Sequence, residues 1–270
     1  MKLLVRVLLL GASAACRLAL GEAQTGNAPV SQSEHVPPEP PALEIHDMTS
    51  RQMTAMMEMN DAAPLGMLLV DQLEGGYGNG VSSFGWYAQG WYGGDYDKLW
   101  LRTEGEQLAG STENARVELL WDHVFSRWWS AQSGLRHDFQ PGAARDWLAL
   151  GVQGMAPYFF KIEATAYVGD AGRTAARLRA EYDLLFTQRL ILQPELELNA
   201  YGKDDPAAEI ASGLSDLQLA LRLRYEIHRE IAPYIGIVWL SRLGGTADLA
   251  RSQGKEVSVL QAVAGLRVWL

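Results

Sequence analysis

Strict alternation of apolar and polar residues recurs through residues 65–270, and this period of two constrains the fold more than any other feature of the chain. In "DLQLALRLRYEIH", Leu217, Leu219, Leu221, Leu223, Tyr225 and Ile227 share one face. Asp216, Gln218, Ala220, Arg222, Arg224, Glu226 and His228 share the other. A helix would scatter these residues around its circumference, whereas a strand separates them cleanly. "RLILQPELELNA" opposes Leu196 and Leu198 to Glu195, Glu197 and Asn199, and "KLWLRTEGE" and "ARLRAEYDLL" repeat the theme. About twelve such segments begin near residues 66, 82, 96, 112, 126, 145, 157, 172, 188, 213, 229 and 257.

The breaks between them fall into two sets. "GGDYD", "VFSR", "MAP", "FTQR" and "HREIAP" are tight; "AGSTEN", "FQPGAAR", "GKDDPAAEIASG" and "LGGTADLARSQGKE" read as longer, polar loops. Short turns at one end and long loops at the other predict an all-β fold, an up-and-down antiparallel transmembrane β-barrel of about 12 strands. An even strand number places both termini at the short-turn, periplasmic end. Trp91, Tyr92, Tyr96, Phe125, Trp128, Trp129, Tyr158, Phe159, Phe160, Phe186 and Trp269 gather near that end. Tryptophan and tyrosine favour the membrane–water interface, their rings being apolar with one polar tip. A soluble sandwich or lipocalin-like barrel also alternates, but it buries the apolar face and needs no aromatic concentration at its turns. The charged face then lines the lumen, with Arg102, Glu104, Arg116, Glu118, Arg177, Arg179, Glu195, Glu197, Arg222 and Arg224 among its members. The mixture of signs predicts pairing across a narrow bore rather than a wide pore.

Two regions precede the barrel. Residues 1–23 read as an export signal: Lys2 and Arg6, an apolar stretch, then small residues ending at Gly21 or Ala23. Cys16, the one cysteine, falls inside it, so a chain cleaved at either point has no thiol; the alternative is a lipoprotein acceptor at Cys16, for which "SAAC" lacks the usual leucine. Residues 24–64 then form a flexible Pro-rich and Met-rich segment. Pro37, Pro38, Pro40 and Pro41 make an extended spacer. "HDMTSRQMTAMMEMN" follows, carrying His46, Met48, Met53, Met56, Met57 and Met59. Met53, Met56 and Met57 stand at i, i+3 and i+4, the spacing of one helix face that could plug a barrel mouth. The same thioethers are soft ligands that select Cu(I), and imidazole accepts copper too; both readings stay open on the residues alone. Alternation also turns Met155 and His228 inward near the periplasmic end, which adds them to the candidate metal ligands.

"GMLLVDQLE" (66–74), "WYAQGWYGGDYDKLWLRTEGE" (86–106) and the closing "AGLRVWL" resemble the copper resistance protein B family, over residues 44–270. That family pairs a Met/His-rich segment, often in "MDH"-like units, with a barrel; here the segment is short and holds one "HDM". The resemblance implies an outer-membrane protein of copper resistance, with copper as cargo and a periplasmic multicopper oxidase as a partner. The expected function is capture of periplasmic copper, with sequestration or export through the barrel. The alternative is a general porin or structural barrel with an N-terminal plug and no metal role. A net charge of −9 argues against nucleic acid as a partner. The chain has no "GxSxG" or "HExxH" element and no phosphate-cradling glycine loop, so it reads as a non-enzyme.

Overall fold

The computed structural model describes Thr49 and residues 63–270, apart from residues 109, 141 and 143 and the side chains of Glu113 and Gln140. The described strands are β1 (Leu65–Gly78), β2 (Val81–Gly93), β3 (Asp97–Leu108), β4 (Ser111–Ser126), β5 (Trp129–Gln140), β6 (Arg145–Ala156) and β7 (Phe160–Gly169). Strand β8 runs in two pieces, Thr174–Glu181 and Leu184–Leu185. β9 (Leu190–Tyr201), β10 (Gly213–Tyr225), β11 (Ile231–Arg242) and β12 (Ser258–Trp269) complete the wall, and one helix, α1 (Gly244–Ser252), sits in the last loop. Each strand pairs antiparallel with its sequence neighbours. β1 pairs with β12, from Leu69 opposite Trp269 to Tyr77 opposite Ala262, so the sheet closes into a 12-strand barrel. Closure removes the unpaired strand edges that hydrocarbon cannot hydrogen-bond.

Burial in this barrel is inverted relative to a protein in water. Leu150 is 63% exposed and Ile235 64%, while Arg177 is 4% exposed and Arg222 3%. Leu99, Leu101, Leu119, Leu135, Leu148 and Ile237 continue the apolar outer band. A transmembrane barrel shows this pattern because lipid is the solvent outside and the charges pair inside.

Two irregularities decide which side chains reach the lumen. In β1 the register slips between Val70 and Gln72 against β2, a bulge at Asp71. Asp71 and Gln72 consequently both leave the lipid face, and Leu69 is buried whereas Leu73 is exposed. In β8 the ladder breaks opposite Pro194, which has no N–H to donate, and the Tyr182 N–H instead donates to the Pro194 carbonyl at 3.1 Å. Gly105 lies directly opposite Trp86 on the next strand. A Cβ at Gly105 would collide with the indole ring, so the ring lies flat over a bare backbone.

The expected asymmetry of the ends holds for two loops. Residues 202–212 and 243–257 are long, whereas β3 and β4 join through a tight turn at Gly110 (φ 83°). "AGSTEN" is therefore no loop: Ser111 already pairs with Leu108, and β4 incorporates the polar residues that imitate one. Tyr92, Tyr96, Phe125, Trp128, Tyr158, Phe159, Phe160, Phe186 and Trp269 are exposed around the turn end, as an interfacial girdle requires. Trp91 and Trp129 depart from that expectation. Both line a cavity inside the barrel, since each lies one strand step from an outward neighbour.

Candidate functional site: a charged septum between two lumenal cavities

Arginines and carboxylates from opposite walls meet across the middle of the bore. Arg102 on β3 reaches Glu163 on β7 at 2.7 Å. Arg177 on β8 holds Glu104 on β3 and Glu197 on β9, both at 2.8 Å, and Arg116 pairs with Glu104 as well. Arg222 on β10 forks onto Glu74 on β1, at 3.0 Å through both Nε and Nη2, and reaches Glu195 at 2.7 Å. Arg179 pairs with Glu181 at 2.8 Å and with Glu195 at 3.2 Å, and Arg267 with Asp71 at 2.6 Å. Charges taken out of water need such partners, because an unpaired one costs several kcal/mol.

Aromatic rings brace several of these cations. Arg179 lies 4.2 Å from the centre of the Tyr87 ring, Arg136 4.6 Å from Tyr167, and Arg102 5.3 Å from Trp100. A guanidinium over a ring face is attracted by the ring quadrupole, more so when water is excluded. Tyr167 also donates its hydroxyl to Glu118 at 2.8 Å and packs with Leu120, Trp147, Ala149 and Ala175. The septum is thus fixed by ion pairs, rings and a small apolar cluster together.

One cavity opens on each side. The loop-end cavity, of about 320 Å³, is lined by Arg116, Arg136, Glu104, Glu197, Asp216 and Tyr201 among others. The turn-end cavity, of about 500 Å³, has Trp91, Trp100, Trp128, Trp129 and Met155 in its wall, with Lys98, Lys161 and Asp122 among its charged members. Asp122 is held in place by Ser130, Gln132 and Gln153, all donating to its Oδ2 at 2.6–3.0 Å.

The loops at the far end tie themselves together over the loop-end cavity. Asp205 accepts from Arg145 at 2.8 Å and from Arg173 at 3.2 Å, joining the start of β6 and the β7–β8 connection to residues 202–212 through one carboxylate. Thr246 on α1 accepts from the Ala211 N–H at 3.0 Å, and Lys255 pairs with Glu209. The Ser212 N–H donates to Asp204 at 2.6 Å, which holds that carboxyl below the ordinary aspartate range. Replacing Asp205 by alanine is expected to loosen residues 202–212 and raise amide exchange there about tenfold, with the strands unaffected. Hydrogen-exchange mass spectrometry of the protein in detergent reads this directly, and unchanged exchange would mean that the carboxylate does not tie the loops.

The sequence-derived ligand set is divided by this geometry. Met155 lines the turn-end cavity beside four tryptophans. His228 does not join it. β10 ends at Tyr225, so the alternation that would turn His228 inward has stopped, and His228 is exposed in the following turn. β7, β8 and β9 also lie between β6, which carries Met155, and β10, which ends before His228. His46, Met48, Met53, Met56, Met57 and Met59 lie outside the described residues. His123, on the outer face, pairs with Asp97 at 2.8 Å, and His137 with Asp146 at 2.6 Å. Among the described residues, no group of three or more His, Cys, Asp or Glu side chains is arranged to hold a metal ion. Sequence reasoning missed Asp71, Glu74 and Arg267 in the septum; the signal was the abrupt "VDQ" that breaks the alternation of β1. It also missed Met67, the cross-strand partner of Trp91.

Residues 65–270 match the family described as Copper resistance protein B precursor. A Pseudomonas syringae pv. tomato protein named Copper resistance protein B homolog is 49% identical over 212 residues, 78% of this chain and 72% of that protein. The Escherichia coli protein named Copper resistance protein B is 45% identical over 211 residues, 78% of this chain and 71% of its own length. Among solved structures, the NanC porin in its rhombohedral crystal form is similar in fold, with a TM-score of 0.52 at 15% identity. That match covers 73% of this chain and 98% of the porin, and it bears on the fold alone.

Proposed function

We propose, from the premise that this chain belongs to the copper resistance protein B family, that it is a non-enzymatic outer-membrane barrel serving copper resistance by binding copper. The Met/His stretch captures Cu(I) on the periplasmic side, and the barrel sequesters the ion or passes it outward. One observation carries this reading over a general porin: arginine–carboxylate pairs from opposite walls meet across the middle of the bore and narrow it, where free diffusion of solutes calls for an open one. Soft thioether chemistry supports the choice of ion, since sulfur ligands favour Cu(I) over harder cations. In an oxidising compartment thiols are consumed as disulfides, whereas thioethers stay available.

Within this reading His46, Met48, Met53, Met56, Met57 and Met59 are the collecting ligands. Met155, in the tryptophan-walled cavity, is a lower-affinity acceptor of the same chemistry. A periplasmic multicopper oxidase fits as a functional partner, on the family resemblance.

The test is competitive Cu(I) titration of the purified full chain against a chelator. Changing Met53, Met56, Met57 and Met59 together to leucine keeps apolar volume and removes sulfur, and it is expected to abolish tight binding. Full affinity in that variant would overturn the ligand assignment. A porin without a metal role would instead conduct small solutes freely and show no preference for copper.

A further inference from the structure

We propose that Arg179 is the gate between the two lumenal cavities and sets the charge of the ions the bore admits. The inference deepens the cation-handling reading above and rests on it for its biological sense. Among the described residues, Arg179 and Tyr87 are the two that line both cavities. The guanidinium stacks on the Tyr87 ring at 4.2 Å, so the pair closes the passage at the point where the two spaces meet.

The partners of Arg179 lie on opposite sides of that point. Glu181, at 2.8 Å, belongs to the wall of the turn-end cavity. Glu195, at 3.2 Å, belongs to the wall of the loop-end cavity. Asp71, on β1, stands 3.9 Å away. A long side chain with a carboxylate on either side can lean toward one or the other without losing its charge compensation, and in doing so it leaves the ring. Arg224 differs in kind: it is a buried lumenal arginine, 3% exposed, that stands outside the septum and lines neither cavity.

Charge follows from the same geometry. With Arg179 in the constriction, a passing cation meets a fixed positive charge. With Arg179 displaced, Asp71 keeps Arg267 and Glu195 keeps Arg222, but Glu181 loses its nearest guanidinium, so the opening is left with an excess of negative charge that attracts cations, as acidic rings do in cation pores. The bore therefore becomes cation-selective when it opens.

The experiment uses the full chain reconstituted in planar lipid bilayers with potassium chloride as the probe. Arg179→Ala and Arg224→Ala are compared in an Asp205→Ala background, where the loops have lost their shared carboxylate. Arg179→Ala is expected to raise conductance about tenfold over that background and to move the zero-current potential toward the potassium value. Arg224→Ala is expected to leave both near background. Equal gains in the two variants, or no gain with Arg179→Ala, would overturn the gate.

Folding is checked by heat-dependent migration of the barrel on gels. Should Arg179→Ala not fold, Arg179→Lys keeps the charge and loses the ring stack. It is expected to conduct above background with weaker cation selectivity, and background conductance in that folded variant would equally overturn the proposal. Since potassium is the probe, the gate can fail while copper binding stands, and the reverse.

Discussion

Glu195→Ala lowers the unfolding free energy of the barrel by about 3–5 kcal/mol, the cost expected when a buried carboxylate is removed from its charged partners. Glu195 is 4% exposed and sits where three elements converge. It takes Arg222 at 2.7 Å, Arg179 at 3.2 Å and the Gln72 amide at 3.0 Å. Alanine leaves two guanidinium groups short of a partner in a confined bore and deletes the volume that separates them. Glu195→Gln, which keeps the shape and an acceptor oxygen, is expected to cost less than half as much. Denaturant unfolding in lipid vesicles, followed by fluorescence of the nine tryptophans, measures both variants. Equal stability of wild type and Glu195→Ala would mean that the septum contributes nothing to the fold.

Leu150→Arg costs about 2–4 kcal/mol, the penalty measured for a cation at the bilayer midplane on the lipid face of a barrel. Leu150 is 63% exposed, near the middle of β6, between the outward-facing Leu148 and Val152. The same change in a water-soluble barrel would be close to neutral at such an exposed position. The comparison therefore separates lipid from water as the outer solvent. Slower folding into vesicles and a lower denaturant midpoint are the expected results. A variant as stable as wild type would argue against β6 facing hydrocarbon.

Much of the wall was legible in one dimension because strands carry their own signal. β10 shows this well: Leu217, Leu219 and Leu221 alternate with Gln218, Ala220 and Arg222, and nothing but a strand separates them. The pairing of charges inside was legible too, since opposite signs on inward faces of a narrow barrel have no other neighbours. Where the pattern misled, a local event had reset the parity. The bulge at Asp71 turned two successive residues away from lipid, and a tight turn at Gly110 absorbed polar residues into β4. His228 was misplaced because alternation was extended past the end of its strand.

The sequence by itself determined the class of fold, the closure near twelve strands, the inward face of charge and the family to which the chain belongs. These follow from period, composition and short-range pattern, which require no knowledge of distant neighbours. Tertiary structure alone decided which charges meet. Arg102 and Glu163 are 61 positions apart, and Glu74 and Arg222 are 148 apart. Such pairs are set by the stagger and curvature of a closed barrel, which bring opposite walls within reach of two side chains. The position of Arg179 between two cavities belongs to the same level, because a gate is a relation between spaces that exists only once the wall has closed.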